Sequence, residues 1–295
     1  MGKPSLSFEI FPPNSMVGEE RLIQTLSQLK GLSPDFISVT CSNQQANFID
    51  TTLNVADYVQ NQLKIPAIAH LPALYLTAKE VDYILEALHQ RDISQILALR
   101  GDYIENKVQP NDFHYASELI DYIQGKDSRF KISGACYPET HPDSKNRVED
   151  ILNLKRKVES GCQQLITQLF FDNDTFYRFQ ESCALSGIEV PVLAGIMPII
   201  NRKQAIRLIQ TCQTKVPRKF MAILEKYEYQ PESLKEAGLA YALDQIVDLV
   251  TQDADGIHLY TMNQAEMAHY IYQATTAIFQ NLSHASKKAP QALFV

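Results

Sequence analysis

The chain has 295 residues, 45% of them apolar, with a formal charge of −7 and a pI near 5.5. That composition supplies a sizeable core, and an acidic chain with no basic run argues against nucleic acid as the main partner. No apolar stretch approaches the roughly 20 residues of a membrane span, and five cysteines without CxxC spacing read as reduced thiols in a cytoplasmic protein.

Eight short apolar runs punctuate the chain: Leu6–Phe11, Phe36–Thr40, Ala67–Leu71, Ile96–Leu99, Phe130–Cys136, Gln164–Phe171, Val190–Ile196 and Gly256–Tyr260. Helical patterns lie between them. Thr77 and Glu80 form a capping box ahead of Val81, Ile84, Leu85 and Leu88, an i, i+3, i+4, i+7 face. Asp112 is placed to cap a helix bearing Ala116, Leu119, Ile120 and Ile123. Asp172 to Asp174 precede a helix that stops near Gly187, and Asn201 is placed to cap the next. Val216–Pro231, rich in Lys, Glu and Pro, reads as a connection, followed by a helix from about Glu232 to Val250. Strands alternating with helices at about thirty-residue intervals indicate βαβ units and a parallel sheet. Eight repeats at this length fit a single-domain (β/α)8 barrel over 1–280, with 281–295 a tail; a doubly wound open sheet is the alternative.

Barrel chemistry sits where strands end. Glu9 stands among Phe8, Ile10 and Phe11, and a carboxyl buried in hydrocarbon would have its pKa pushed up, suiting a general acid. A salt-bridged structural Glu is the other reading. Arg100-Gly101-Asp102 ends the fourth run, either binding an anion and stabilising a cation or forming a structural rim pair. Tyr137-Pro138-Glu139 and His141-Pro142 end the fifth. Beyond them Asp150, Asn153 and Lys157 share a helix face beside Arg156, a face that could grip ribose and pyrophosphate or simply be solvated. Gln168 lies among apolar neighbours in the sixth run, so its amide needs partners, from a heterocycle or from backbone.

Other chemistries find less support. His70 and His258, together with Asp102 and His141, could suggest a metal centre, and a metal-dependent hydrolase or lyase ligated by His70, Asp102 and His141 is an alternative, but no HxH or HExxH spacing occurs. No strand tip carries the lysine a Schiff-base aldolase needs. No GxG exists, so a dinucleotide must be held without a Rossmann turn.

Taken in order, Ser7–Pro13, Ile37–Thr40, Ala69–Leu71, Leu97–Asp102, Tyr137–Pro142, Ile166–Asp172, Gly195–Pro198 and His258–Asn263 resemble the catalytic barrel of the 5,10-methylenetetrahydrofolate reductase family, over essentially the whole chain. The length matches the bacterial type, without the appended regulatory domain. The resemblance implies reduction of methylenetetrahydrofolate to 5-methyltetrahydrofolate by NADH or NADPH, in a ping-pong hydride relay through non-covalent FAD. It implies Glu9 as general acid at the opening five-membered ring and Asp102 as the charge that favours the cationic intermediate. FAD contacts would be His70, Arg100, Gly101, Asp102, Ala116, Tyr137, His141, Asp150, Asn153, Arg156 and Lys157. Thr40, Gln168 and Gln204 match substrate contacts, and relatives form homo-oligomers. The chain departs from the family pattern at Cys41-Ser42-Asn43, Ser144, Leu208 and Gln264; where relatives often carry Arg, Gln264 removes a positive charge that could meet the glutamate tail or the nucleotide. A non-catalytic folate- or flavin-binding barrel is the remaining alternative.

Overall fold

The computed structural model describes residues 3–13, 15–41, 47–105, 107–212 and 214–281. Eight parallel strands, β1 (Ser5–Ile10), β2 (Phe36–Val39), β3 (Ala67–Pro72), β4 (Gln95–Leu99), β5 (Lys131–Cys136), β6 (Cys162–Thr167), β7 (Val192–Ile196) and β8 (Gly256–Tyr260), close in sequence order into one barrel. The closing pair is β1 with β8, in register from Ser5↔Gly256 to Glu9↔Tyr260. The helices are α1 (Met16–Lys30), α2 (Phe48–Asp57), α3 (Ala78–His89), α4 (Ala116–Lys126), α5 (Arg147–Glu159), α6 (Asn173–Leu185), α7 (Arg202–Cys212), α8 (Arg218–Lys226), α9 (Pro231–Thr251) and α10 (Ala265–Asn281). The closed barrel, not the open sheet, is the fold. Beyond position 281 the expected tail lies outside the described residues, as do Ser42 and Asn43.

Side-chain alternation sorts the strands into two cores. Phe8, Ile10, Ile37, Val39, Ala69, Ile96 and Ala98 face the helices within the large outer cluster. Phe36, Ile68, Leu97, Ile166 and Leu193 form a separate cluster that fills the barrel itself. The capping box of Thr77 and Glu80 forms as expected, Asn201 caps α7 as expected by accepting the Gln204 N–H, and Asp172 accepts the Asp174 N–H at the start of α6.

Three sequence expectations are corrected. Asp112 lies too far ahead of α4 to cap it, and its carboxylate accepts the Ala78 N–H of α3 at 2.7 Å instead. Val216–Pro231 contains α8, whose Phe220 and Leu224, one turn apart, bury against Phe171 and Tyr241. The sixth strand stops at Thr167: β7 pairs with Leu165 and Ile166, and the next β7 amide, the Gly195 N–H, donates to the Thr167 hydroxyl at 2.8 Å instead of extending the ladder. The run then turns outward, where Phe170 stacks on Phe176 and Phe171 on Phe220.

Candidate active site

Glu9 occupies the inward face of β1, one pleat above Ser7. Because side chains alternate, Phe8 and Ile10 point away from it, and its neighbours are imidazoles rather than hydrocarbon. Oε2 of Glu9 lies 3.6 Å from Nε2 of His258 and 3.7 Å from Nε2 of His70. His258 is fully buried. Its Nδ1 hydrogen-bonds Ser7 Oγ at 2.8 Å, its Nε2 meets Ser38 Oγ at 3.3 Å, and its ring stacks on Phe36. Tyr260 closes on it edge-first, anchored by its hydroxyl to the Thr167 carbonyl at 2.6 Å.

Burial pulls the His70 pKa down to about 4; the Glu9 charge opposes that shift and His258 adds to it. His70 is therefore neutral at pH 7, and its approach to Glu9 is not an ion pair.

In the sequence His258 stands out only as a possible metal ligand beside His70, Asp102 and His141. It sits mid-strand, away from the tips where chemistry was sought. Its parity with Tyr260 and its pairing opposite Ser7 are the signals that point to it.

The remaining residues ring the mouth. Arg100 holds Asp143 at 2.6 Å, and that contact keeps the Asp143 carboxyl below its ordinary range. Gly101 turns the chain with φ of 89°, a conformation glycine adopts without a Cβ penalty. Asp102, next along, is exposed. Tyr137 meets the His141 ring edge-on at 4.4 Å, and burial followed by the Arg100 charge lowers the His141 pKa. Ala116 is buried at the start of α4.

The α5 face divides in three. Asp150 accepts the His141 N–H and the Ser144 hydroxyl. Lys157 turns inward to donate to the Ala135 carbonyl at 2.5 Å, its pKa lowered by burial. Asn153 and Arg156 stay exposed and line a shallow cavity of about 500 Å³.

Gln168 is half-buried just past β6, not enclosed in it, and its amide oxygen accepts the Leu169 N–H. It opens onto a second cavity, of about 460 Å³, that neither Glu9 nor Asp102 lines. Among the described residues, no three acidic, His or Cys side chains converge as a metal site would require.

Among the described residues, four buried side-chain polar atoms lack a hydrogen-bond partner: Thr40 Oγ1, His70 Nε2, Arg100 Nε and Gln204 Oε1. Each costs about 1–3 kcal/mol if nothing fills it. Thr40 and Arg100 directly follow β2 and β4, His70 lies in the second half of β3, and Gln204 is in the first turn of α7 after β7, all toward the strand ends where a barrel holds its ligand. A flat, heteroatom-rich group such as a flavin or pterin offers matching donors and acceptors, so the donor set fits.

A closed parallel barrel with a carboxyl and two imidazoles buried inside it, beside unpaired polar atoms, defines an enzyme of the (β/α)8-barrel class. Residues 1–276 match the family pattern described as methylenetetrahydrofolate reductase, and the 5,10-methylenetetrahydrofolate reductase of Salmonella typhimurium is 33% identical over 270 residues, 92% of this chain and 90% of that one. The chain belongs to the methylenetetrahydrofolate reductase family of folate oxidoreductases. Arabidopsis thaliana methylenetetrahydrofolate reductase (NADH) 1 is also 33% identical, over 276 residues, 89% of this chain but 46% of that protein. A Clostridium thermocellum protein described as binding two copies of 5-methyl-5,6,7,8-tetrahydrofolic acid shares the fold, with TM-score 0.70 and 16% identity over 94% of this chain and 96% of that one.

Proposed function

We propose that this protein reduces 5,10-methylenetetrahydrofolate to 5-methyltetrahydrofolate with NADH or NADPH, as a cytoplasmic homo-oligomer whose single catalytic unit is the barrel. The supporting observation is the set of four unpaired buried atoms. Each belongs to a residue that resemblance to the family assigns to a ligand: His70 and Arg100 to FAD, Thr40 and Gln204 to substrate. FAD, bound non-covalently, would supply two-electron chemistry in alternating half-reactions with the nucleotide and the folate. His70, Arg100, Gly101, Asp102, Ala116, Tyr137 and His141, with Asp150, Asn153, Arg156 and Lys157 of α5, would hold it.

The chain's own work is proton handling and charge placement. Glu9 donates a proton to the amine nitrogen that leaves as the folate's five-membered ring opens. The exposed Asp102 carboxylate favours the cation so formed. Gln168, at the edge of the mouth, orients the folate and then the nicotinamide nucleotide. His258 can serve Glu9 in both charge states. One tautomer donates from Nε2 to the carboxylate and the other accepts from the acid, while Ser7 and Ser38, each able to donate or accept, adjust without stranding a group.

The test is an absorbance spectrum of the purified protein, then anaerobic titration with NADH and addition of methylenetetrahydrofolate. Yellow protein, bleached by NADH and recoloured by the folate, is the expected result. A colourless protein that does not rebind FAD would remove the cofactor, and with it this reading.

A further inference from the structure

The cavity that opens at Gln168 runs away from Glu9, between the loop after β5 and helix α6. Its wall is basic in an acidic protein. Arg147 enters from the first turn of α5, Arg178 from α6 and Lys215 from the segment after α7. The Arg147 guanidinium is half-buried, donates to the Pro138 carbonyl at 2.6 Å and lies over the Phe179 ring. Burial lowers its pKa, and the like charge of Arg178 adds to that cost. Three acids offset part of this charge: Glu139 lines the cavity and takes the Lys215 N–H with both oxygens, Asp172 pairs with Arg178 at 3.9 Å, and Asp150 favours the Arg147 cation. The lining itself still holds three cations, Arg147, Arg178 and Lys215, against the one carboxylate of Glu139.

Two guanidinium groups close enough to repel, on one concave surface with hydroxyls beside them, form a receptor for oxyanions. Its volume falls within the range of small-ligand sites. We propose that this cavity is an oxyanion subsite that holds the distal, charged end of a substrate whose reacting end lies against Gln168. The inference rests on the folate-reductase reading, because that reading supplies the two candidate anions. They are the carboxylates of a folate's glutamyl tail and the phosphates of the reduced dinucleotide. The subsite also provides cationic contacts in a chain that carries Gln264 where relatives often have a positive charge.

The experiment uses the full-length, flavin-loaded protein and the double variant Arg178→Gln/Lys215→Gln, whose two side chains are exposed and leave Arg147 packed. Michaelis constants are measured for methylenetetrahydrofolate with one and with three glutamyl residues, and for NADH. Calorimetry with tri-γ-glutamate and with inorganic pyrophosphate gives a second readout that needs no turnover. Loss of two charge-assisted contacts should raise one Michaelis constant about tenfold or more. A rise confined to triglutamyl folate assigns the glutamyl tail, and a rise confined to NADH assigns the phosphates. Constants within about twofold of the parent, with neither probe binding, overturn the subsite. Absence of folate turnover in the parent protein would instead sink the functional reading, while calorimetry still decides whether the cavity takes an anion.

Discussion

Nε2 of His258 stands 3.6 Å from Oε2 of Glu9, and the opposite nitrogen of the same ring hydrogen-bonds Ser7 at 2.8 Å. The imidazole is enclosed on all sides, so this contact is the route by which it can influence the carboxyl. Replacing His258 with Asn keeps a polar side chain but removes the titratable ring. Reduction of methylenetetrahydrofolate should fall about a hundredfold, within the range for a lost proton-transfer partner. NADH oxidation with an artificial acceptor should persist, because under the proposed mechanism that half-reaction takes no proton from Glu9. Stopped-flow measurement of the two half-reactions separates them. Equal loss in both would mean that His258 merely holds the barrel together.

His70 makes a different claim. Its pKa is about 4 in the folded protein against an ordinary value of 6.5, so between those values the unfolded chain binds a proton that the native state refuses. Stability therefore rises with pH through that window, is complete above pH 6.5 and is lost as pH falls toward 4. The loss between pH 7 and pH 5 is roughly 2 kcal/mol. His141, also lowered by burial, acts in the same direction. Urea denaturation at the two pH values should show a shallower dependence in His70→Asn than in the parent. Identical slopes would show that His70 binds its proton equally well in the folded and unfolded chain.

The barrel was legible because its signal repeats eight times and a closed parallel sheet is buried on both faces. The site was half legible. Thr40, His70, Arg100 and Gln204 were marked from strand ends and family likeness, and the fold leaves an unpaired buried atom on each. The environment of Glu9 was misjudged, because neighbours in sequence face opposite sides of a strand. The groups that touch it come from β3 and β8, more than sixty and two hundred residues away along the chain. The α8 helix is masked in the sequence by the flanking Pro217 and Pro231 and by its own charges, although Phe220 and Leu224 carry the one-turn spacing.

Gly195 shows how the second layer supports the first. A Cβ there would lie 2.3 Å from the Thr167 carbonyl oxygen and 2.7 Å from the Tyr260 ring. Neither can yield cheaply, since the Tyr260 hydroxyl bonds that same carbonyl and its ring borders His258. Gly195→Ala should cost about 3 kcal/mol in overpacking and slow the folate half-reaction more than the nucleotide one. Thermal melts and the two half-reactions measure this. An alanine variant with parental melting and turnover would show that the Tyr260 contact is dispensable.

The barrel seam places the acid itself. After β8 the chain passes through Met262 and Asn263 with φ of 51° and 57°, a left-handed pair in which asparagine is the better tolerated residue. There Asn263 donates from Nδ2 to the Phe11 carbonyl at 2.9 Å and accepts the Phe11 N–H on Oδ1 at 2.8 Å. Two residues earlier, the Thr261 hydroxyl donates to the Glu9 carbonyl at 2.6 Å. These bonds tie the chain leaving β1, directly after the Glu9 side chain, to the chain leaving β8. Asn263→Ala removes both side-chain bonds and strains the left-handed turn, so it should cost about 2–3 kcal/mol. Asn263→Asp keeps the acceptor for the Phe11 N–H but loses the donor, and should fall between. Hydrogen exchange at the Phe11 amide reads the seam directly: it should accelerate in the alanine variant and remain slower in the aspartate one. Unchanged protection at Phe11 in both variants would mean that backbone pairing alone closes the barrel.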